Sequence, residues 1–445
     1  MGFVIPSSKK RMYLSGTDWV INTLDHMMKS TTNSGNMSQI IFEMDSLLDE
    51  KLVRERLGVF VREFPALHGS VKRDFNLAPY WRLPEATSND LDFTVYLVGE
   101  DSSQEEILSL FGKTANRPFK NENEHLAFHL IQKGKKESLF AMTFDHRLFD
   151  ARGAEAFLDL FLQYSSGKEI TGILNGVRLT APADLSEWMD KFHAGRNVNR
   201  KMISLSKPAF ETLPVPEGRD RGFKFHLVSF DVKDTEKIYD KAYSEAGYLM
   251  EMPYLLSVVM QAVHELFRNR GIAANNYMAP VTIDMRTRDD IREKLLLNHV
   301  SYLFFKVSAE ETGDLKGIMK SVKCQMYEQV KSGLPKDLAD ASSLLRIAPL
   351  AFLGKVLHLP FGGKIASFLF SYLGKGPGQL SEFMGVKIKN LFHTPRVSVP
   401  PGFGFFFNYF NGHLNLVISY LDGLLLEEEI LMLTTGIEEK LEASV

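Results

Sequence analysis

The stretch Ser138–Tyr164, SLFAMTFDHRLFDARGAEAFLDLFLQY, decides how the rest of the chain is read. Leu139, Phe140, Ala141, Met142 and Phe144 form a short, nearly continuous apolar run, the pattern of a strand covered on both faces. The run stops at Asp145-His146. Beyond Asp150, Ala154, Phe157, Leu158, Phe161 and Leu162 recur at helical spacing, with Glu155, Asp159 and Gln163 between them. A histidine and a carboxylate are therefore fixed at a strand-to-helix turn. A neutral imidazole is the usual general base near pH 7, and a rigid loop after a buried strand can hold it against a hydroxyl, amine or thiol proton. Asp150 can orient the ring, brace the loop, or act as an ordinary helix N-cap worth about 1 kcal/mol. The HxxxD spacing alone does not choose among these.

At 445 residues the chain exceeds what one core usually supports, so two domains of roughly 200 residues are expected. Its 44% hydrophobic and 24% charged residues are those of a folded, water-soluble protein. With 52 Lys and Arg against 55 Asp and Glu, net charge −3, nothing marks a nucleic-acid surface, and the partner is expected to be small or locally recognised. The lone Cys324 forms no internal disulfide, and no CxxC or Cys/His cluster suggests a metal. A reducing compartment fits. The N-terminal charges follow a very short apolar stretch, the reverse of a signal peptide, and Pro6 stands where a myristoylation signal needs Ser or Thr, so the cytoplasm is expected. The most apolar segment, Leu344–Leu373, is broken by Arg346, Lys355, His358, Pro360 and Lys364. It falls short of the ~18–20 clean apolar residues that span a bilayer. It reads instead as an apolar substrate wall or a surface for peripheral membrane contact.

Taken in order, the pattern predicts a strand over 35–44, a helix over 49–64, short extended pieces at 71–74 and 80–83, a strand over 93–98 and a helix over 103–111. Strands over 126–132 and 138–144 are joined as a hairpin. Between 165 and 222 Gly, Pro, Asn and Arg break the pattern, apart from a helix near 185–193. A second half then opens with strand 223–230, helices 235–246 and 253–269, strands 277–285 and 299–307, and helix 314–331. Asn411-Gly412 sits between strands 403–409 and 414–420 as a hairpin turn, and a last helix starts at 426. Both halves mix strands and helices, which allows a duplicated α/β sandwich with lobes at 1–180 and 223–445 and a connection at 181–222.

Around His146 the sequence resembles the superfamily of chloramphenicol acetyltransferase, the plant BAHD acyltransferases, nonribosomal-peptide condensation domains and bacterial wax-ester synthase-like enzymes. Their shared mark is HHxxxDG or HxxxDG, and Asp145-His146-Arg147-Leu148-Phe149-Asp150-Ala151 stands in its place. Asp145 replaces the first histidine of many members, and Ala151 the usual glycine, with Gly153 two residues on. Leu14-Ser15-Gly16-Thr17-Asp18 is similar to the family's opening segment, and Phe64-Pro65-Ala66-Leu67-His68 to its helix-ending element. Pro280-Val281-Thr282-Ile283-Asp284-Met285-Arg286 with Leu297-Asn298-His299-Val300 resembles the "pvdlR … GN" pair, leucine replacing that glycine. Asn411–Leu416 and Ser419–Asp422 resemble the C-terminal signature.

The resemblance implies two chloramphenicol-acetyltransferase-like lobes, each a mixed sheet flanked by helices, with an active-site tunnel between them and His146 near its middle. It implies an acyltransferase that moves an acyl group from a CoA or acyl-carrier-protein thioester to a hydroxyl or amine, with His146 as base, no acyl-enzyme and no tightly bound cofactor. Asp150 would pair with an arginine, for which Arg286 is the candidate against a solvated strand-end reading. Asp145, Gly153, Asn298 and Gly402 complete the candidate substrate contacts. Gly402 and Gly404 stand where plant members carry DFGWG, without its Asp or Trp, and read equally as a turn before a strand. Asp145 either favours a protonated imidazole, binds a cationic acceptor, or faces solvent at the strand end. His68, His125, His129, His358 and His393 show no partner pattern. An amide-forming condensation enzyme and a catalytically idle binding platform are the alternatives. Two lobes in one chain would supply both walls of the tunnel, so a monomer is expected.

Overall fold

The structure, a computed structural model, describes residues 11–85, 87, 90–169, 188–218, 220–287, 290–376 and 380–442. The first half runs β1 (Arg11–Tyr13), α1 (Gly16–Thr31), β2 (Met37–Met44), α2 (Glu50–Arg62), β3 (Ser70–Arg73), β4 (Pro79–Arg82), β5 (Phe93–Val98), α3 (Gln104–Ala115), β6 (Leu126–Lys133), β7 (Glu137–Asp145) and α4 (Ala151–Ser165). The second runs α5 (Trp188–Ser206), β8 (Phe223–Phe230), α6 (Val232–Ala246), α7 (Glu251–Asn269), β9 (Asn276–Asp284), β10 (Val300–Ser308), α8 (Leu315–Lys331), α9 (Leu334–Leu345), α10 (Leu350–His358), β11 (Leu369–Lys375), β12 (Glu382–Phe383), β13 (Val386–His393), β14 (Phe403–Phe410), β15 (His413–Leu421) and α11 (Glu427–Glu442). The expected α/β architecture is present: two six-stranded mixed sheets with helices against them, ordered β12-β13-β2-β7-β6-β5 and β10-β9-β11-β14-β15-β8. The N-terminal signal reading and residues 185–187 of the expected connection helix lie outside the described residues.

The apolar run that opened the reading is a central strand of the first sheet, paired on both sides. Its alternation decides two cores at once. Phe140, Met142 and Phe144, with Ile40 and Phe42 of β2, pack toward α2 and α4, while Leu139, Ala141 and Ile41 join a core that continues into the second half. Both faces are covered, so neither set needs to be polar. Phe60 and Phe64 meet Phe157, Phe161 and Tyr164 at ring distances of 5.2–5.6 Å, which fixes α4, and with it the HxxxD loop, against α2. In the second sheet Asn411 and Gly412 both have positive φ, 46° and 89°, as a tight hairpin turn requires.

One strand crosses the expected division, and one helix lacks an apolar stripe. β13 lies within the expected second lobe yet pairs with β2 of the first sheet, from Ile388↔Met44 to His393↔Ile40. It covers a strand edge that would otherwise expose a row of unpaired backbone groups. α1 was not marked by an apolar stripe, because Asp18, Asn22, Thr23 and Asp25 are among its buried residues. Its start is set instead by the reciprocal Ser15/Asp18 capping box. The apolar segment 344–373 resolves into the end of α9, α10, a single turn at Leu359–Phe361, and β11.

Phe60 is fully buried among those rings, so Phe60→Ala is expected to lower unfolding stability by about 3–5 kcal/mol. The midpoint of urea denaturation measures this; a shift worth under about 1 kcal/mol would mean that α2 is not what holds α4 in place.

Candidate active site

His146 is the first residue after β7, half-buried, and its backbone N–H donates to Asn36 O at 3.0 Å. Its ring Nδ1 lies 3.1 Å from Asn298 Oδ1. The Asn298 amide nitrogen donates to the His146 carbonyl oxygen at 3.0 Å. A carbonyl only accepts, so the amide must turn its nitrogen that way and its oxygen toward the ring. Nδ1 therefore carries the proton. Nε2 keeps its lone pair and has no hydrogen-bond partner among the described residues.

Asn298 is held by its own backbone and by its neighbours'. Three consecutive amides, Leu297, Asn298 and His299, donate to Leu148 O (2.6 Å), Asp18 Oδ1 (2.8 Å) and Asp150 Oδ2 (2.9 Å). Each acceptor belongs to the first half of the chain. Leu297 reaches this arrangement at φ 70°, in the left-handed region that suits the glycine of the resembled motif. The conformation costs a branched residue about 1–2 kcal/mol, against which Leu297 buries its side chain beside Leu295 and Leu296. Burial pushes the Asp18 carboxyl up, opposed by its hydrogen bonds from Ser15 and Asn298. Burial and the nearby Arg286 charge push the His299 imidazole down.

Asp150 is the N-cap of α4, accepting from Gly153 N at 2.8 Å. Its carboxylate also pairs with Arg286 Nη2 at 2.8 Å. Arg286 is not a solvated strand-end residue: its side chain is buried, and it further donates to Lys294 O (2.9 Å) and Asp284 Oδ1 (3.1 Å). Asp150 thus ties together the helix start, the arginine and the His299 amide, and makes no contact with the His146 ring. At Gly153 an added Cβ would lie 2.4 Å from Leu295 O, so glycine there permits the close crossing of α4 and the 295–299 segment.

Asp145 is not at a solvent-facing strand end. Its buried carboxylate accepts from Arg147 N (2.9 Å), Nε (3.0 Å) and Nη2 (2.6 Å), and His125 Nδ1 lies 2.9 Å away. Burial pushes this carboxyl up, but the Arg147 charge and the hydrogen bonds from His125 and Arg147 outweigh it and hold it well below the usual carboxylate range. No hydrogen bond joins it to the His146 ring among the described residues. Gly402 (φ 77°) lies before β14, where an added Cβ would meet Leu424, Leu421 and Val399; it shapes the end of the β14–β15 hairpin, and the site residues are not among its neighbours. His125 and His393, which the sequence left without partners, both have one. His125 joins Asp145 and Gly69 O across neighbouring strands, and His393 Nε2 lies 3.0 Å from Glu155. Burial pushes the Glu155 carboxyl up, but the charge of Arg152 and the contact with His393 bring it to about 2.

Two cavities border this region. One, of about 760 Å³, is walled by Trp19, Asn22, Arg73, Phe119, Asp145 and Arg147. The other, of about 600 Å³, is walled by Glu155, Asp159, Arg292, Lys375, Tyr409 and Asn411. The chain passes from the wall of the first to that of the second through the HxxxD loop, and His146 itself lines neither. Among the described residues no group of three or more His, Cys, Asp or Glu is placed to hold a metal ion.

No protein-family profile and no curated protein sequence matches the chain. Solved structures do. Trichothecene 15-O-acetyltransferase (TRI3) from Fusarium sporotrichioides aligns over 98% of this chain and 97% of its own, with TM-score 0.68 and 12% identity. The first condensation domain of the calcium-dependent antibiotic synthetase aligns over 98% and 96%, with TM-score 0.66 and 13% identity. The EpoB cyclization-docking bidomain from Sorangium cellulosum aligns over 99% and 88%, with TM-score 0.65 and 12% identity. The chain therefore has the two-lobed fold of condensation domains and chloramphenicol-acetyltransferase-like acyltransferases, as the sequence resemblance implied. At this identity the fold is what is shared.

Asp150→Asn leaves the buried Arg286 charge with only the part-exposed Asp284 carboxylate and is expected to lower stability by about 2–3 kcal/mol, read as soluble yield and urea midpoint. A variant of wild-type stability would remove the brace. Asn298→Ala is expected to release the His146 tautomer, seen as convergence of its Nδ1 and Nε2 ¹⁵N shifts. Unchanged ring shifts would show that Asn298 does not set the tautomer.

Proposed function

We propose that the protein transfers an acyl group from a CoA or carrier-protein thioester to a hydroxyl or amine, with His146 Nε2 as the general base. The observation that carries this reading is the locked tautomer: Asn298 accepts from Nδ1–H, so the lone pair sits on Nε2, the nitrogen with no hydrogen-bond partner among the described residues. Nε2 takes the proton of the acceptor O–H or N–H as that atom attacks the thioester carbonyl. The tetrahedral intermediate collapses with cleavage of the C–S bond, and the imidazolium returns its proton to the departing thiolate. The acyl group passes directly to the acceptor, the thioester is a co-substrate, and the scheme needs no resident cofactor.

As the ring gains its proton, the positive charge is met by Asn298 Oδ1, which already accepts from Nδ1–H. Proton transfer of this kind contributes about 10²–10⁴-fold in rate. Asp150 acts at a distance by fixing the 297–299 backbone, so its contribution is to placement rather than to the proton relay. The likeness to a named acetyltransferase and to condensation domains supports the reaction class. The cavity between Glu155 and Asp159 on one side and Arg292, Tyr409 and Asn411 on the other draws walls from both halves of the chain, which supports substrate binding between the lobes of a single chain; a monomer in the cytoplasm belongs to the same proposal.

Purified protein incubated with a panel of acyl-CoAs and alcohols or amines is expected to form ester or amide, with His146→Ala slowed by at least about 10²-fold at unchanged thermal midpoint. Equal product from variant and wild type would end the general-base role. The catalytically idle alternative predicts no product from either.

A further inference from the structure

The helix α5 turns an unusual face to solvent. Its inward side is settled by contacts: Ala194 and Leu205 are buried, an added Cβ at Gly195 would lie 3.8 Å from Leu344, and Asn197 donates to Asp337 at 3.0 Å. On the opposite side Met189, Phe192, Arg196, Arg200 and Ile203 follow at spacings of three and four, one stripe down the helix. Met189, Phe192 and Ile203 are 73%, 59% and 54% exposed, and both arginines are exposed. The helix carries one acid, Asp190, against four bases, Lys191, Arg196, Arg200 and Lys201, in a chain whose net charge is −3.

The same order repeats next door. α5 packs against the turn Leu359–Phe361 that follows α10. Across α10 and that turn, Phe352, Lys355 and Leu359 share the outward face at i, i+3 and i+7, while Leu353 and Gly354 are buried against α1. Phe352 is 61% and Leu359 79% exposed. Two adjoining elements thus each present large apolar side chains with a base between them.

We propose that this face of α5 and α10 docks the protein on an anionic lipid bilayer, with the apolar side chains entering the headgroup–acyl boundary and the bases remaining among the phosphates. Charge disfavours a two-fold contact with a second copy of this chain, which would set Arg196 and Arg200 of the two copies against each other. An anionic bilayer offers negative charge and an apolar layer together over the ~28 Å length of a 19-residue helix. No helix among the described residues is long and apolar enough to cross the membrane, so the contact is peripheral.

Sedimentation of the full chain with vesicles of phosphatidylcholine, with and without phosphatidylglycerol, tests this. Wild type is expected to pellet with the anionic vesicles at about 0.1 M salt and to be released by about 1 M salt. Each of Arg196→Gln and Arg200→Gln is expected to weaken binding about fivefold, the pair about 25-fold. Leu359→Asp is expected to weaken it roughly tenfold, while Leu97→Asp, at an exposed position on the edge strand β5, leaves it unchanged. These side chains are exposed, so the variants are expected to keep the wild-type melting curve. Wild-type protein that stays in the supernatant with anionic vesicles, or variants that bind as wild type does, would overturn the proposal. So would capture of this face by an acidic carrier protein in the absence of any vesicle binding.

Discussion

Three consecutive backbone amides, Leu297, Asn298 and His299, hydrogen-bond across the lobe boundary to Leu148, Asp18 and Asp150. Amides in a row along an extended chain do not normally find three acceptors on one partner, and burying any of them unpaired would cost about 1–3 kcal/mol. The structure meets all three with different chemistry: a loop carbonyl, a helix-capping carboxylate and a second capping carboxylate. Two helix starts, those of α1 and α4, are thereby tied to the segment that presents the Asn298 amide to His146. The ring orientation is consequently a property of the lobe arrangement as a whole.

Much of this was legible in the sequence, and the reasons for the rest are physical. β7, α4 and the Asn411-Gly412 hairpin announced themselves because local periodicity and turn chemistry determine them. His146, Asp150, Arg286 and Asn298 were readable as types and positions, while the Asn298–His146 contact spans half the chain and leaves no local trace. α1 was hidden because its inward face is polar where it meets the other lobe. The His125–Asp145–Arg147 cluster was hidden because its members meet across neighbouring strands, and pattern reading takes an isolated histidine as structural or exposed.

The departures from the resembled motif are absorbed locally. Where the resembled motif has its first histidine, Asp145 supplies a buried anion that fixes Arg147 and His125. Where glycine would adopt positive φ at no cost, Leu297 adopts it and packs its side chain into the core shared with Phe149 and Phe157. Ala151 opens α4 as an ordinary first-turn residue, and the α4 position where a side chain would collide with the 295–299 segment is Gly153, against Leu295 O. What the fold demands at this crossing is a close approach of two backbones, and a glycine two residues later satisfies it.

The strand β13 has a consequence for synthesis. Most chains can complete an amino-terminal domain while the remainder is still being made. Here, among the described residues, the outer edge of β2 (37–44) is covered by the distant Ile388–His393. The edge of β2 therefore stays open until residues 388–393 have been translated, the interval in which an unpaired strand is most apt to find a neighbour's. Cutting the gene between the lobes would make that interval permanent. The two halves are joined by this strand as well as by the site between them.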